Sequence, residues 1–361
     1  MLYVSEMPDT DETLNNLVQS VKEAHDTGDP LRIAAGGTKE FYGRKIKGRG
    51  LSVFEYHGIV SYEPTELVIT ARAGTPIETI EAALSSEGQM LGFEPPRFGA
   101  RATLGGTVAC GISGPRRPYA GAVRDFVLGV KCLNGRGEVL KFGGQVMKNV
   151  AGFDVSRLMA GAMGTLAILL EVSLKVLPRP ETEMTLQQTL GEAEAIDFMN
   201  RLAGQPWPLS AASWHQGKVY LRLSGMDSAV HAACRKIGGD IMPDGNGFWQ
   251  AVREQELAFF YGDKPVWRLS VPPAAPPVHL DGECFIDWGG AQRWFRSKLP
   301  AEAIQKAARE RGGHAVLFRG GDRQGEVFAP LPSALEKIHR HLKLAFDPKR
   351  ILNPGRLYSY L

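Results

Sequence analysis

Three glycine clusters are the residues whose types and spacing most directly suggest a chemical task. The first is Ala35-Gly36-Gly37-Thr38, followed by Lys39. The second opens at Thr103-Leu104-Gly105-Gly106 and continues through Ala109, Gly111, Ser113, Gly114 and Gly121. The third is Gly161-Ala162-Met163-Gly164-Thr165. Glycine admits positive φ and lets a ligand approach main-chain N–H groups closely. Successive N–H groups in such turns form a concavity that suits an anion. A pyrophosphate, with negative charge and many acceptor oxygens, matches it. One cluster alone is usually a tight turn; three in the first half of the chain point to a nucleotide. No GxGxxG opens a helix after the first strand and no GxxxxGK[ST] occurs. A Rossmann or P-loop domain is therefore disfavoured, and the phosphate site is of another type.

The remaining chemistry-bearing residues exclude more than they suggest. Cys110, Cys132, Cys234 and Cys284 are scattered, with no CxxC pair and no histidine at ligand spacing. A zinc or iron–sulfur site built from this chain is not expected, and reduced thiols are. The net charge is +3, and the short basic stretch at 44–49 reads as a solvated loop, so nucleic acid is not an expected partner. The first eleven residues are acidic and polar, without the basic and apolar segments of a signal peptide. The longest apolar run, 166–172, falls far short of the roughly 20 residues of a membrane helix. A cytoplasmic location is expected, peripheral at the inner face of a membrane only through partners.

The elements that must position these clusters follow from periodicity and breakers. With 361 residues, two domains are the natural expectation. Residues 12–24 read as an amphipathic helix, and 31–34 as a strand running into the first cluster. Residues 51–56 and 67–73 read as strands, and Thr75-Pro76 as the cap and first position of a helix to about 86. Residues 91–121 resist periodicity. A hairpin is expected over 126–142, turning at Asn134-Gly135. A short helix follows at 154–160 and a long strand at 166–176, ending at Pro178-Arg179-Pro180, the expected domain boundary. Beyond it, 184–190, 192–202, 210–214, 219–223 and 229–237 give the order β-α-β-β-α, as in a ferredoxin-like sheet. Strands at 284–288 and 314–319 flank a helix at 300–311. A last helix, 333–346, leads into the tail.

The order of these motifs resembles the PCMH-type FAD-binding domain of the vanillyl-alcohol oxidase class. The resemblance rests on the strand with Gly-Gly-Thr, then Gly74, then Pro95-Pro96, then Thr103 to Ala109. It continues through Gly121 and Asp125, Gly152-Phe153-Asp154, and Gly161 to Leu166. The tail Phe346-Asp347-Pro348 with Ile351-Leu352-Asn353-Pro354-Gly355-Arg356 is similar to the element that closes over the flavin in that class. The run 146–154 and the segment Ser113-Gly114-Pro115-Arg116-Arg117 resemble most the FAD-binding subunits of bacterial glycolate oxidases. The resemblance implies an α+β chain. A two-subdomain FAD-binding domain (1–179) precedes a smaller ferredoxin-like domain (180–330), and a tail (331–361) returns to the flavin. It implies that Ala35 to Lys39 loop around the pyrophosphate. Thr103, Leu104, Gly105, Gly106, Ala109, Gly111, Ser113 and Gly114 would line the pyrophosphate and the ribityl–isoalloxazine side, and Pro95 and Gly121 would also belong to the cofactor site. Gly161, Gly164, Thr165 and Ile168 would lie near adenine and ribose, and Asn353 would approach the isoalloxazine. No histidine follows the first loop, so the FAD is expected to be non-covalent.

Two departures limit what the resemblance implies. Homologous D-2-hydroxyacid dehydrogenases carry a motif like His-x-Gly-Asp-Gly-Asn-x-His; here Arg319-Gly320-Gly321-Asp322-Arg323 stands instead, without either histidine. A single carboxylate holds no divalent metal alone, so none is expected. A 2-hydroxy acid needs a guanidinium for its carboxylate and a base for its hydroxyl. Arg116, Arg117, Arg319, Arg323 and Arg356 are candidates for the first and His314 for the second; surface arginines and an ordinary strand-end histidine are the plainer reading. The resemblance implies a glycolate-oxidising complex with a second homologous flavoprotein subunit and an iron–sulfur subunit. A self-sufficient FAD-dependent D-2-hydroxyacid dehydrogenase and a non-catalytic assembly subunit remain open.

Overall fold

The computed structural model describes residues 10–144 and 154–361. The first nine residues and 146–153 of the run noted above lie outside the described residues. Two sheets divide the chain. The first half is built on a five-stranded antiparallel sheet in the order Ile59–Glu63, Val68–Arg72, Ala167–Lys175, Val127–Asn134, Val139–Gly143. The strand Ala167–Lys175 is buried at seven of its nine positions, as befits a central strand covered on both faces. The helix Ile77–Ser86 buries Ile77, Ile80 and Leu84, at helical spacing, against this sheet's core. A separate parallel pair, Leu31–Ala34 with Arg49–Ser52, packs under the N-terminal helix Thr10–Thr27.

The second half is one eight-stranded antiparallel sheet. Its first part is Thr182–Thr189, Leu209–His215, Lys218–Gly225 and Asp240–Ile241, ordered fourth, first, third, second, with helices Glu192–Ala203 and Asp227–Ile237 in the connections. That is the ferredoxin-like order. Four further strands, Glu283–Asp287, Gln292–Arg296, Val266–Ser270 and His314–Arg319, extend the same sheet. The expected small ferredoxin-like unit is thus half of a larger sheet.

Three local expectations are corrected. Thr75 does not cap the helix: its hydroxyl bonds both the N–H and the carbonyl of Gly58, and Pro76 holds the cap position. The second glycine cluster is a helix, Leu104–Cys110, with the Thr103 hydroxyl accepting from Gly106 N–H. A helix at Gly245–Glu254, capped by Asp244, was not foreseen either.

The two sheets meet across buried charge. Glu94 and Arg116 come from the first half, Glu183 and Arg222 from the second, and Arg116 and Arg222 each pair with both carboxylates. The guanidiniums hold Glu94 below the usual carboxylate range despite its burial. Nearby Trp288 donates its indole N–H to the Gly114 carbonyl at 3.0 Å, a second tie between the halves.

The tail returns to the first half by a buried clamp. Lys343, near the end of helix Ser333–Phe346, donates to Asp347 and to the carbonyls of Thr165 and Leu352 at 2.7–2.8 Å. Asp347 also accepts from the N–H groups of Ile351 and Leu352. The strand Leu31–Ala34 gains the tail as a neighbour: Leu31 N–H reaches the Ile351 carbonyl, and Asn353 N–H the Leu31 carbonyl.

Candidate functional site

The strand Leu31–Ala34 delivers Ala35 to Lys39 to the rim of a cavity of about 550 Å³, within the range of sites for drug-sized ligands and cofactors. Gly37 turns the loop at φ +74. A Cβ on Gly36 would collide with the Arg101 carbonyl oxygen, so only glycine fits. The N–H groups of Gly36, Gly37, Thr38 and Lys39 find no acceptor among the described residues. Idle main-chain donors in succession around a positive-φ glycine form the concavity an anion fills. This is the observation by which a dinucleotide fits this chain.

The second cluster contributes differently from expectation. Thr103, Gly105, Gly106 and Ala109 line the cavity. Their helix, however, uses its own donors: Leu104 N–H goes to the Thr75 carbonyl, Gly105 N–H to Ala73, and Gly106 N–H to the Thr103 hydroxyl. These glycines therefore offer bare surface, not N–H groups. A Cβ on Gly105 would stand 2.7 Å from the Ala73 Cβ, so the absence of a side chain brings helix and strand together.

Gly164 and Ile168 line the cavity from the third cluster and the strand after it, and Asn353 lines it from the tail. The Asn353 side chain is anchored by protein: its Oδ1 accepts from Ile33 N–H and its Nδ2 donates to the Met163 carbonyl, at 2.8 and 2.7 Å. It pins the tail at the cavity wall. Arg356 also lines the cavity, held by the carbonyls of Arg44 and Glu40.

Other expected residues lie elsewhere. Pro95 and Leu104 are buried outside the lining. Gly111 ends the helix at φ +65, close to the backbone of Gly161. The Ser113 hydroxyl accepts from Val123 N–H, and Gly114 packs against Glu94. Gly121 packs on Asp125 and Phe126, and the Thr165 hydroxyl is spent on the Ala162 carbonyl. Arg116 is taken by the buried ion pairs, and Arg117 stacks on Trp288 at 4.4 Å. His314 stands exposed at the first residue of its strand, at the opposite end from Arg319.

Arg319 and Arg323 approach from the second sheet. Arg319 stacks over Phe41 at 4.6 Å, and Arg323 lines the cavity beside Gly320. Lys39, Arg319, Arg323 and Arg356 form no ion pair among the described residues, and burial lowers the pKa of each. The cavity lining thus combines apolar side chains (Val53, Ala167, Ile168 and Leu169), the idle amides, and cations that include Arg323 from the second half and Arg356 from the tail. Sequence reasoning missed Phe41, Met163 and Cys110 in this wall; Met163 sits inside the third glycine cluster, where only its glycines drew notice, and Phe41 and Cys110 are marked by no motif. Among the described residues, no group of three or more His, Cys, Asp or Glu is placed to hold a metal ion.

Comparison with known proteins agrees with this geometry. Residues 10–143 match the family model described as FAD binding domain. The chain is 47% identical over 345 residues to glycolate oxidase subunit GlcE of Escherichia coli, covering 96% of this chain and 97% of that protein. It is 33% identical to glycolate oxidase subunit GlcD of Bacillus subtilis, over 91% of this chain and 84% of that one. Among solved structures, an alkyldihydroxyacetonephosphate synthase superposes with a TM-score of 0.67 at 14% identity, covering 94% of this chain and 75% of that one. That likeness speaks to the fold.

Proposed function

The chain belongs to the family of glycolate oxidase subunits that carry an FAD binding domain, and from that premise we propose that it is the FAD-binding subunit of a complex oxidising glycolate to glyoxylate. The row of idle amides at Gly36 to Lys39 carries this reading. FAD, when bound, supplies the acceptor for two electrons taken from the substrate. In this reading residues 1–179 hold the flavin, 180–330 cover it, and 331–361 close it.

The chain's own residues have separable tasks. The amides of Gly36 to Lys39 receive the pyrophosphate. Gly106 and Ala109 leave room along the dinucleotide, Ile168 packs near adenine, and Asn353 fastens the tail that shuts the cavity. The unpaired cations Lys39, Arg323 and Arg356 of the lining, with Arg319 stacked on Phe41 beside it, favour anionic ligands. The absence of a histidine in Gly37-Thr38-Lys39-Glu40 supports non-covalent attachment.

A multi-subunit assembly follows from the family. The finer composition, a second homologous flavoprotein and an iron–sulfur subunit that passes electrons onward, belongs to the same proposal. It is supported by the scattered cysteines of this chain. No helix of the described residues is long and apolar enough to cross a membrane; a cytoplasmic location, peripheral through partners, fits the reading.

The test is to reconstitute the chain with FAD and add glycolate, alone and with the co-purified complex. Flavin that bleaches in the complex but not in the isolated chain supports the reading. Bleaching in the isolated chain would make it a self-sufficient dehydrogenase, and a chain that takes up no FAD would leave only an assembly role.

A further inference from the structure

Helix Ser333–Phe346 turns apolar side chains to solvent as well as to the core. Ala334, Lys337, Ile338, His341, Leu344 and Ala345 recur at spacings of three and four and form one face, and all of them are exposed. Ile338 is 52% and Leu344 40% exposed, with Leu335 at 46% beside them. No other element among the described residues exposes three large apolar side chains. A surface helix ordinarily keeps such residues inward. Here Leu342 and Phe346 pack on the core of the first half, and the rest of the inner side is given to charge. Lys343 is clamped by Asp347, and Arg340 pairs with Glu336 and lies over the Tyr360 ring at 4.2 Å. The helix is thus fixed from behind, and its outer face is presented ready-formed.

Charge decides what covers that face. Its ionisable members are basic, Lys337 and His341, and exposed Lys349 and Arg350 follow just beyond the helix. Lys337, Lys349 and Arg350 form no ion pair among the described residues. A helix that lies in a membrane surface keeps its cations on the side opposite its apolar residues. In this helix Lys337 adjoins Ile338, His341 stands one turn further on, and the opposite side is spent on the protein. A second copy of the chain, packed about a two-fold axis, would set the cationic face against itself. A different protein surface, apolar and bearing carboxylate, meets both demands. The family supplies such a chain, because its members are subunits of a multi-subunit enzyme.

Resting on the multi-subunit reading above, we propose that the outer face of helix Ser333–Phe346 is the docking surface for another subunit of the complex, whose matching face is apolar with a carboxylate opposite Lys337. Ile338 and Leu344 are the anchors, and Lys337 sets the register. The same helix runs on into the tail that reaches Asn353 and Arg356 at the cavity wall, so the partner stands on the element that closes the site.

The test uses the full FAD-loaded chain and, as probe, the second flavoprotein and the iron–sulfur subunit proposed above, purified together. Flavin content and melting temperature of each variant are determined first. The unaltered chain should join the probe in one assembly by light scattering. Ile338→Glu should keep its flavin and its melting temperature yet bind the probe roughly thirtyfold more weakly or worse, the loss expected for one central anchor. Lys337→Glu should slow association and flatten its dependence on salt. Met226→Glu, which alters an exposed apolar residue at the start of another helix, should assemble like the unaltered chain. If Ile338→Glu melts early, Lys337→Glu, a change confined to solvent, still decides the matter. Variants at Ile338 and Lys337 that assemble normally overturn the proposal. So does an isolated chain that is a dimer until Ile338→Glu makes it a monomer, and so does an unaltered chain that binds phosphatidylglycerol vesicles through Ile338. An unaltered chain that joins neither probe subunit fails the multi-subunit reading first, and the docking face with it.

Discussion

Gly105 and Gly106 are adjacent but meet different surroundings. A Cβ on the first would press on Ala73 at 2.7 Å, whereas on the second its nearest neighbour would be the Thr103 hydroxyl at 3.2 Å. Neither N–H is free. Gly105 thus serves packing, and Gly106 serves the cavity. Gly105→Ala should lower the melting temperature, since overpacking a fitted contact costs roughly 1–3 kcal/mol. Gly106→Val should melt close to the unaltered chain yet retain little flavin. Equal flavin content in Gly106→Val and the unaltered chain would reduce this residue to a turn former. At this scale the sequence spoke clearly where function needs backbone: Gly36-Gly37-Thr38 after a strand announced its loop. It was silent on which arginines matter. Arg116 and Arg323 are equally plausible as residue types, but one is neutralised by Glu94 and Glu183 and the other meets no carboxylate. Partners distant in sequence decide such roles.

The tail is the element on which the site's closure depends. Lys343 and Asp347 are both almost fully buried, and their network spans Thr165, Ile351 and Leu352. Removing one partner of a buried pair costs about 3–5 kcal/mol, because the other is left uncompensated. Lys343→Met should therefore loosen the tail and weaken the hold of Asn353 and Arg356 on the cavity. Trypsin should then cut at Lys349 or Arg350, and flavin should be lost on gel filtration. A tail still protected, with normal flavin content, would show that the hydrogen bonds of Asn353 suffice. Long periodic helices and the hairpin were legible in the sequence; the elements that escaped reading each have a physical reason. Leu104–Cys110 places two glycines in its first turn, against helix propensity. Gly245–Glu254 opens on Gly-Asn-Gly and betrays itself only by Asp244 as its cap. The strand Gln292–Arg296 hides a fully buried Arg293 among its apolar residues, satisfied by the carbonyls of Gly290, Ala275 and Pro276.

Across the whole molecule, both halves and the returning tail contribute to the lining of the candidate cavity, each with a different chemistry. The parallel pair brings the idle amides, the five-stranded sheet brings apolar side chains, and the eight-stranded sheet brings unpaired guanidiniums. The buried ion pairs of Glu94, Arg116, Glu183 and Arg222 tie the two halves that supply this lining. This division of labour implies that the chain alone should hold its dinucleotide, whatever partners contribute to turnover. The most direct test is to purify the chain alone, load it with FAD, remove the excess and precipitate the protein with acid. Equimolar FAD in the supernatant, with the precipitated polypeptide at its unmodified mass, is the expected result. A chain that emerges colourless, or flavin that stays with the polypeptide, would contradict it.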